Sequence, residues 1–208
     1  MDEKEVYLAD FNRLEKELSS VGSSGLHRLR RAALERFEEM GFPTLDDEEW
    51  RFTNLAPLAK QTFRCPQETL RTLDQMDLPT VEELLGKLPG AERGLVFHNG
   101  QLMQPARLGD AKEVTVECLI PALAAYGEQI EQHLGQHAAF EEQPLVALNT
   151  AFLRDGSYIH IPRGVIFKPP IYVVYTSSTA EEAGVTHPRT LIVAEENSQA
   201  TIVEAYLG

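Results

Sequence analysis

Cysteine is nearly absent from this chain: Cys65 and Cys118 are the only two among 208 residues, and no C-x-x-C pair occurs. That excludes a disulfide framework. It also excludes a self-contained iron–sulfur site, which takes about four ligands, most of them thiolates. Positive charge is scarce too, with 19 Lys and Arg against 32 Asp and Glu and a net charge of −13. Phosphate backbones require a basic face, so nucleic acid is a poor partner. No apolar run approaches the length of a membrane span, and the best of them, Leu119–Tyr126, is far too short. The phosphate-loop pattern G-x-x-x-x-G-K-[ST] and the nucleophile elbow G-x-S-x-G are both missing, so the chain is not expected to hydrolyse ATP or to act as a serine hydrolase. The opening MDEKEVYLADF is charged and helical in pattern rather than a secretory leader. With the isolated cysteines, it leads us to expect a reduced, cytoplasmic protein.

What the chain does contain is two kinds of pattern in succession. Tyr7, Phe11, Leu14 and Leu18 form one stripe of an amphipathic helix. After the small-residue break Ser19–Gly25, Ser24 is predicted to cap a second helix running to Met40. Its apolar side is Leu26, Leu29, Ala33, Leu34, Phe37 and Met40, and Gly41 and Pro43 stop it. The bases Arg28, Arg30 and Arg31 wrap around that helix and are expected to pair with nearby Glu. Trp50 and Phe52 are expected in the core. Two short helices are predicted between Gln67 and Leu88, the second with a capping box of Thr80 and Glu83. Asn99-Gly100, inside LVFHNGQLM, is a strong hairpin signal, because a type I′ turn needs positive φ at both residues. Val114–Cys118 is a strand candidate, and Ile120–Leu134 reads as a helix entered at Pro121 and left at Gly135.

From Leu145 the period changes. An apolar helical piece ends at Arg154-Asp155-Gly156, and four runs of β-branched and aromatic residues follow: Ser157–Pro162, Ile171–Thr176, Thr190–Ala194 and Ala200–Leu207. Ile159 and Ile161 point one way, Tyr158 and His160 the other. The connectors at 163–169 and 177–189 are too long for two-residue hairpins and too short for crossover helices. A β-helix, a jelly roll and a sandwich all satisfy that pattern.

Candidate chemistry is sparse. His133 and His137 have the i, i+4 spacing of a metal pair, but Gly135 lies between them and no third ligand is evident. Asp46, Asp47, Glu48 and Glu49 are consecutive, so on a helix they diverge rather than converge on a cation. His98, beside the hairpin turn, reads as structural. Gly156-Ser-Tyr-Ile-His-Ile-Pro162-Arg-Gly164 has the spacing of the second motif of cupin barrels. The position that would carry a metal-binding His there is Phe167, and His160 falls where the motif is free. A sugar- or protein-binding β module is a further reading, with Tyr158, Tyr172 and Tyr206 as its aromatics. No catalytic, cofactor-binding or metal-ligating residue is assigned.

LNTAFLRDGSYIHIPRGVIFKPPIYVVY, followed by RTLIVAEENSQATIVEAYLG, resembles the SufB/SufD family of iron–sulfur cluster assembly proteins, on its SufD side. GFPTLDDEEWRFTNLAPL resembles the family's amino-terminal motif, and LVFHNGQL the short hairpin between the two. The resemblance implies an α+β protein, with a mainly helical domain over 1–144 and its hairpin near 95–103. Residues 145–208 would then hold a capping helix and the first coils of a right-handed parallel β-helix. It further implies a scaffold subunit rather than an enzyme, with SufB-like and SufC-like (ATPase) partners and a cluster that belongs to the full complex, not to this chain. The family's cluster-chemistry residues and ATPase-docking region follow the matched part, so none is carried over. The chain is expected to be the front portion of a longer protein, and on its own either to self-associate through the open β edge at residues 190–207 or to leave that segment poorly ordered.

Overall fold

The computed structural model describes residues 3–18, 23–61, 63, 80–86, 88, 94–104, 113–177 and 184–207, which fall into two compact units. The first of the short helices expected between Gln67 and Leu88 lies outside the described residues.

The helical unit is built on α1 (Glu3–Glu17), α2 (Ser24–Met40) and α6 (Pro144–Ala151). The predicted stripe on α1 is buried, and it meets Ala33, Leu34 and Phe37 of α2 and Ala147, Leu148 and Ala151 of α6 in one apolar cluster. Rings of Tyr7, Phe11, Phe37, Phe42 and Phe152 pack with their centroids 5.3 to 6.1 Å apart, mostly edge to face. That is the geometry the ring quadrupoles favour. The cap of α2 sits one residue earlier than expected. Ser23, in extended conformation, accepts from the Leu26 N–H at 3.1 Å, while the Ser24 hydroxyl receives the Arg28 guanidinium. Gly41 ends the helix at φ +72, with its own N–H on the Phe37 carbonyl.

Two expectations fail here. Phe52 is 88% exposed and Trp50 half-buried, so neither belongs to the core. Residues 44–61 close into successive short turns, among them a 3-10 turn at Glu48–Trp50 and the one-turn α3 (Ala56–Ala59). No helix forms there that could lay an apolar stripe on the neighbouring cluster. Arg30 pairs with a Glu as expected, but it is fully buried, which the helix pattern does not indicate. Its Nε donates to the Leu153 carbonyl at 2.7 Å, and its guanidinium lies 3.5 Å from Glu15, which His27 and Arg31 also approach. Burial pulls the Arg30 pKa down, while Glu15 opposes that shift.

The sheet unit contains two mixed sheets, ordered β2-β1-β5-β7 and β3-β4-β6. Their strands are β1 (Gly94–His98), β2 (Gln101–Gln104), β3 (Thr115–Cys118), β4 (Ser157–Ile161), β5 (Ile171–Thr176), β6 (Thr190–Ala194) and β7 (Ile202–Leu207). The predicted hairpin is β1–β2, with Asn99 at φ +46 and Gly100 at φ +79, and β1 then pairs in parallel with β5. Between the sheets lie Leu95, Phe97, Val116, Ile159, Ile161, Phe167, Ile171 and Val173. The other face of the first sheet packs Val96, Tyr172 and Val174 against Leu84 and Leu85 of the short α4 (Val81–Gly86). The predicted capping box forms at α4, where Thr80 N–H and hydroxyl reach Glu83 and the Glu83 N–H returns to Thr80. Helix α5 (Leu119–Glu131) follows β3 directly, kinks at Tyr126, and hands over to turns that include Gly135 at φ +82.

Replacing Arg30 by Ala should cost about 3 kcal/mol, because the Leu153 carbonyl loses its donor and Glu15 loses its closest buried partner. Arg31→Ala, at a side chain 70% exposed, should cost less than about 0.5 kcal/mol. Urea unfolding of the two variants checks the contrast.

Candidate interaction surface

The four carboxy-terminal strands form a repeat. Ser157 pairs with Thr190, the isolated bridge joins Ile166 to Gln199, and Ile171 pairs with Ile202, all in parallel. The first two offsets are 33 residues and the third 31. Between the first strand and the bridge each copy turns a corner at a residue with positive φ, Gly164 at +73 and Asn197 at +59. Both are residue types that tolerate the left-handed region. The corners are bonded to each other: Gly164 N–H to Glu196 O, Phe167 N–H to Gln199 O, and Gln199 N–H to Val165 O. His160 Nε2 lies 2.8 Å from Glu195 Oε1, and the Arg163 N–H donates to the other oxygen at 2.9 Å. Those two bonds, the His160 one foremost, hold the Glu195 carboxyl below its usual range. Arg163 also pairs with Glu196.

The second copy leaves its outer side open. Strands β6 and β7 each end their sheet, so one edge of each carries backbone groups with no partner strand among the described residues. An open cavity of about 620 Å³ lies beside them, lined by Ile161, Ile166, Phe167, Ile192, Ala200 and Ile202 among others. In-register stacking of Phe97, Tyr175 and Tyr206, at 5.3 and 5.2 Å, climbs the first sheet and ends at Tyr206, which is 65% exposed. A chain of hydroxyls runs alongside. Ser157 Oγ and the Tyr175 phenol meet the Thr190 hydroxyl at 3.1 and 3.0 Å, and Thr190 donates to Glu204. Burial pushes the Tyr175 phenol up to about 12, against the opposing bonds from Thr190 and Ser157. The arrangement combines open strand edges, a cavity whose apolar side chains alternate with Lys168, Ser198, Gln199 and Thr201, and an exposed aromatic ring at Tyr206.

The candidates from the sequence fall elsewhere. His133 and His137 stack face to face with centroids 5.9 Å apart, and no group of three His, Cys, Asp or Glu that could hold a metal occurs among the described residues. Phe167 is buried between the sheets, which leaves the cupin position apolar, and the two sheets keep open edges rather than closing a barrel. Cys118 is buried, and its thiol pKa is pushed far up by desolvation and then by Asp155, so it is a poor nucleophile. Asp155 itself receives the Gly156 and Ile120 N–H groups at 2.8 and 3.2 Å and caps the start of α5. Cys65 lies outside the described residues. Among the acids Asp46–Glu49, the Asp47 carboxylate is taken by the Thr44 N–H and hydroxyl. His98 is structural as expected, with Nδ1 2.9 Å from the Thr176 hydroxyl. Of the three tyrosines proposed as an aromatic row, Tyr158 and Tyr172 are buried and Tyr206 is exposed, so these three do not present a row to a ligand.

The residue pattern left a repeat undecided among three architectures, and it gave no sign of the His160–Glu195 contact or the aromatic stack. A faint signal of the repeat was present: SYIHIPRG and TLIVAEEN align without a gap, and their turn residues Gly164 and Asn197 coincide.

Comparison with known proteins adds an independent finding. The family model described as the SufBD protein N-terminal region matches residues 1–173. The chain is similar to an iron–sulfur cluster assembly SufBD family protein of Synechocystis, at 29% identity over 91% of this chain and 41% of that protein. It is similar to the iron–sulfur cluster assembly protein SufD of Bacillus subtilis, at 28% identity over 97% of this chain and 45% of the relative. A SufBD family protein of Arabidopsis thaliana matches at 26% identity over 78% of this chain and 36% of its own length. The chain thus spans less than half the length of these relatives, and with a family model covering most of its residues it belongs to the SufBD family.

Proposed function

We propose that this polypeptide is the amino-terminal portion of a SufD-like subunit, a non-catalytic scaffold in a SufB–SufC–SufD type complex that assembles iron–sulfur clusters in the cytoplasm. The observation that carries the reading is the family match over residues 1–173, which runs into the repeat of parallel strands. Relatives about twice as long carry names that state iron–sulfur cluster assembly. The two bonded copies are read as the first coils of a right-handed parallel β-helix. In a solenoid each coil is hydrogen-bonded only to its neighbours, so the edges of β6 and β7 are where a further coil adds. Cluster and ATPase contacts are assigned to parts of the complex beyond these residues. Within the chain, Cys118 is withdrawn into the core and its proton is retained beside Asp155, which supports the non-catalytic reading.

The natural full-length protein, co-expressed with the SufB-like and SufC-like subunits of its own organism, should co-purify with both through size exclusion. Residues 1–208 alone should fail to retain the ATPase. Absence of any co-purifying subunit from the full-length protein would remove the scaffold reading. Retention of the ATPase by 1–208 at comparable affinity would relocate the docking surface to the part described here.

Residues 1–208 by themselves should also associate through the open edges, in a concentration-dependent way visible by light scattering across a dilution series. Tyr206→Lys removes the exposed aromatic step and should weaken that association about tenfold, the equivalent of roughly 1.4 kcal/mol. A monodisperse monomer at all concentrations would show that the edges are not available to a second strand.

A further inference from the structure

The segment Thr44–Gln61 is ordered by its own backbone, yet it turns apolar groups outward. Asp47 accepts from the Thr44 N–H and hydroxyl, and the Asp46 N–H returns to the Thr44 hydroxyl. Trp50 N–H bonds Asp47 O at 2.9 Å and Thr53 N–H bonds Trp50 O at 2.8 Å. Asn54 Oδ1 accepts from Ala56 N–H at 3.0 Å and so starts α3. No residue of this segment belongs to the apolar cluster of the helical unit. Phe52 is 88% exposed, Leu45 51% and Leu58 41%. Singly exposed apolar residues are ordinary, but grouped ones mark interaction sites, and these three fall within fourteen residues of one self-bonded segment. The Arg51 guanidinium sits 4.7 Å from the Phe52 ring centroid, which steadies the side chain on one side.

Charge decides the kind of occupant. Asp46, Asp47, Glu48 and Glu49 are all exposed beside Leu45 and Phe52, and only Arg51 and Lys60 oppose them within the segment. A second copy of a chain with net charge −13 would bring the same acidic rim against this one. An anionic lipid surface is repelled for the same reason. We propose that Leu45, Phe52 and Leu58, with the flanking acids, form a docking ridge for a partner protein whose apolar pocket is rimmed by Lys and Arg. Phe52 is the anchor, and the acids set the encounter rate and the orientation. This inference goes beyond the scaffold reading and holds or fails separately from it.

The test uses the natural full-length protein in its own cell, with a photoreactive phenylalanine analogue at Phe52 and, as control, at exposed Arg31. The expected result is a cross-link from position 52 alone to one protein. Peptide mapping should place it at apolar residues flanked by Lys or Arg. That protein, purified, should bind the natural chain with an affinity lowered at least tenfold by Phe52→Asp and by Glu48→Lys with Glu49→Lys. Salt at about 0.5 M should weaken it similarly, since the charges are solvent-exposed. Phe52→Trp should retain binding, and because these side chains are exposed all variants should keep the natural melting temperature. A cross-link to a second copy, to lipid only or to nothing overturns the proposal. So does a partner whose affinity is unchanged by both variants.

Discussion

The carboxy-terminal half of this structure depends on parallel pairing between strands about 31 to 33 residues apart. Parallel neighbours cannot be joined by a tight turn, and the usual remedy is a crossover helix. Here the chain goes around instead, from β4 through a corner at Gly164 to β5, and from β6 through the matching corner at Asn197 to β7. Each corner needs one residue at positive φ. Gly supplies it without steric penalty and Asn at a small one. Because the corners bond to each other through Gly164, Phe167 and Gln199, a shift of one residue in register would flip the Ile159 and Ile161 side chains out of the core.

The constraint in the helical unit is different in kind. A charged side chain, Arg30, is fully buried, which is costly unless its donors are used, and its Nη2 has no partner among the described residues. Its Nε is used by the Leu153 carbonyl and its charge by Glu15. His27 and Arg31 share Glu15, so one carboxylate organises three basic groups. Such an arrangement contributes little net stability beyond an apolar replacement, but it penalises any packing in which Arg30 loses the Leu153 carbonyl. A buried cation therefore fixes which surface of α2 faces the segment after α6.

How much of this was legible follows from periodicity. The stripes on α1 and α2, the Asn99-Gly100 hairpin, the capping box of Thr80 and Glu83, and strands β4 to β7 all rest on local spacing, and all appear where expected. The pairing of Arg30 with a Glu was legible but its burial was not, because that depends on a partner 123 residues away, which no local pattern encodes. Phe52 was misread: an aromatic residue was taken as core, although Thr44–Gln61 closes its hydrogen bonds within itself. The residue pattern left the parallel repeat undecided because its two copies share shape rather than residues. Ser157 faces Thr190 and Gly164 matches Asn197, but Ile171 follows the bridge at a spacing two residues longer than Ile202 does.

The metal and nucleophile candidates share one feature among the described residues: spacing brings groups near one another without a converging set of three ligands. His133 and His137 have stacked rings on either side of Gly135, which takes a positive φ, and belong to no group of three possible ligands among the described residues. Cys118 has a carboxylate neighbour in Asp155, but that carboxylate is occupied as the cap of α5 and raises the thiol pKa. Thr190 has hydroxyl neighbours, yet its bonds run to Glu204 and join two strands. In each case the polar group is committed to holding one element against another. Among the described residues β6 and β7 each keep one strand edge without a partner strand, and the cavity beside them mixes Ile161, Phe167, Ile192 and Ile202 with Lys168, Ser198, Gln199 and Thr201.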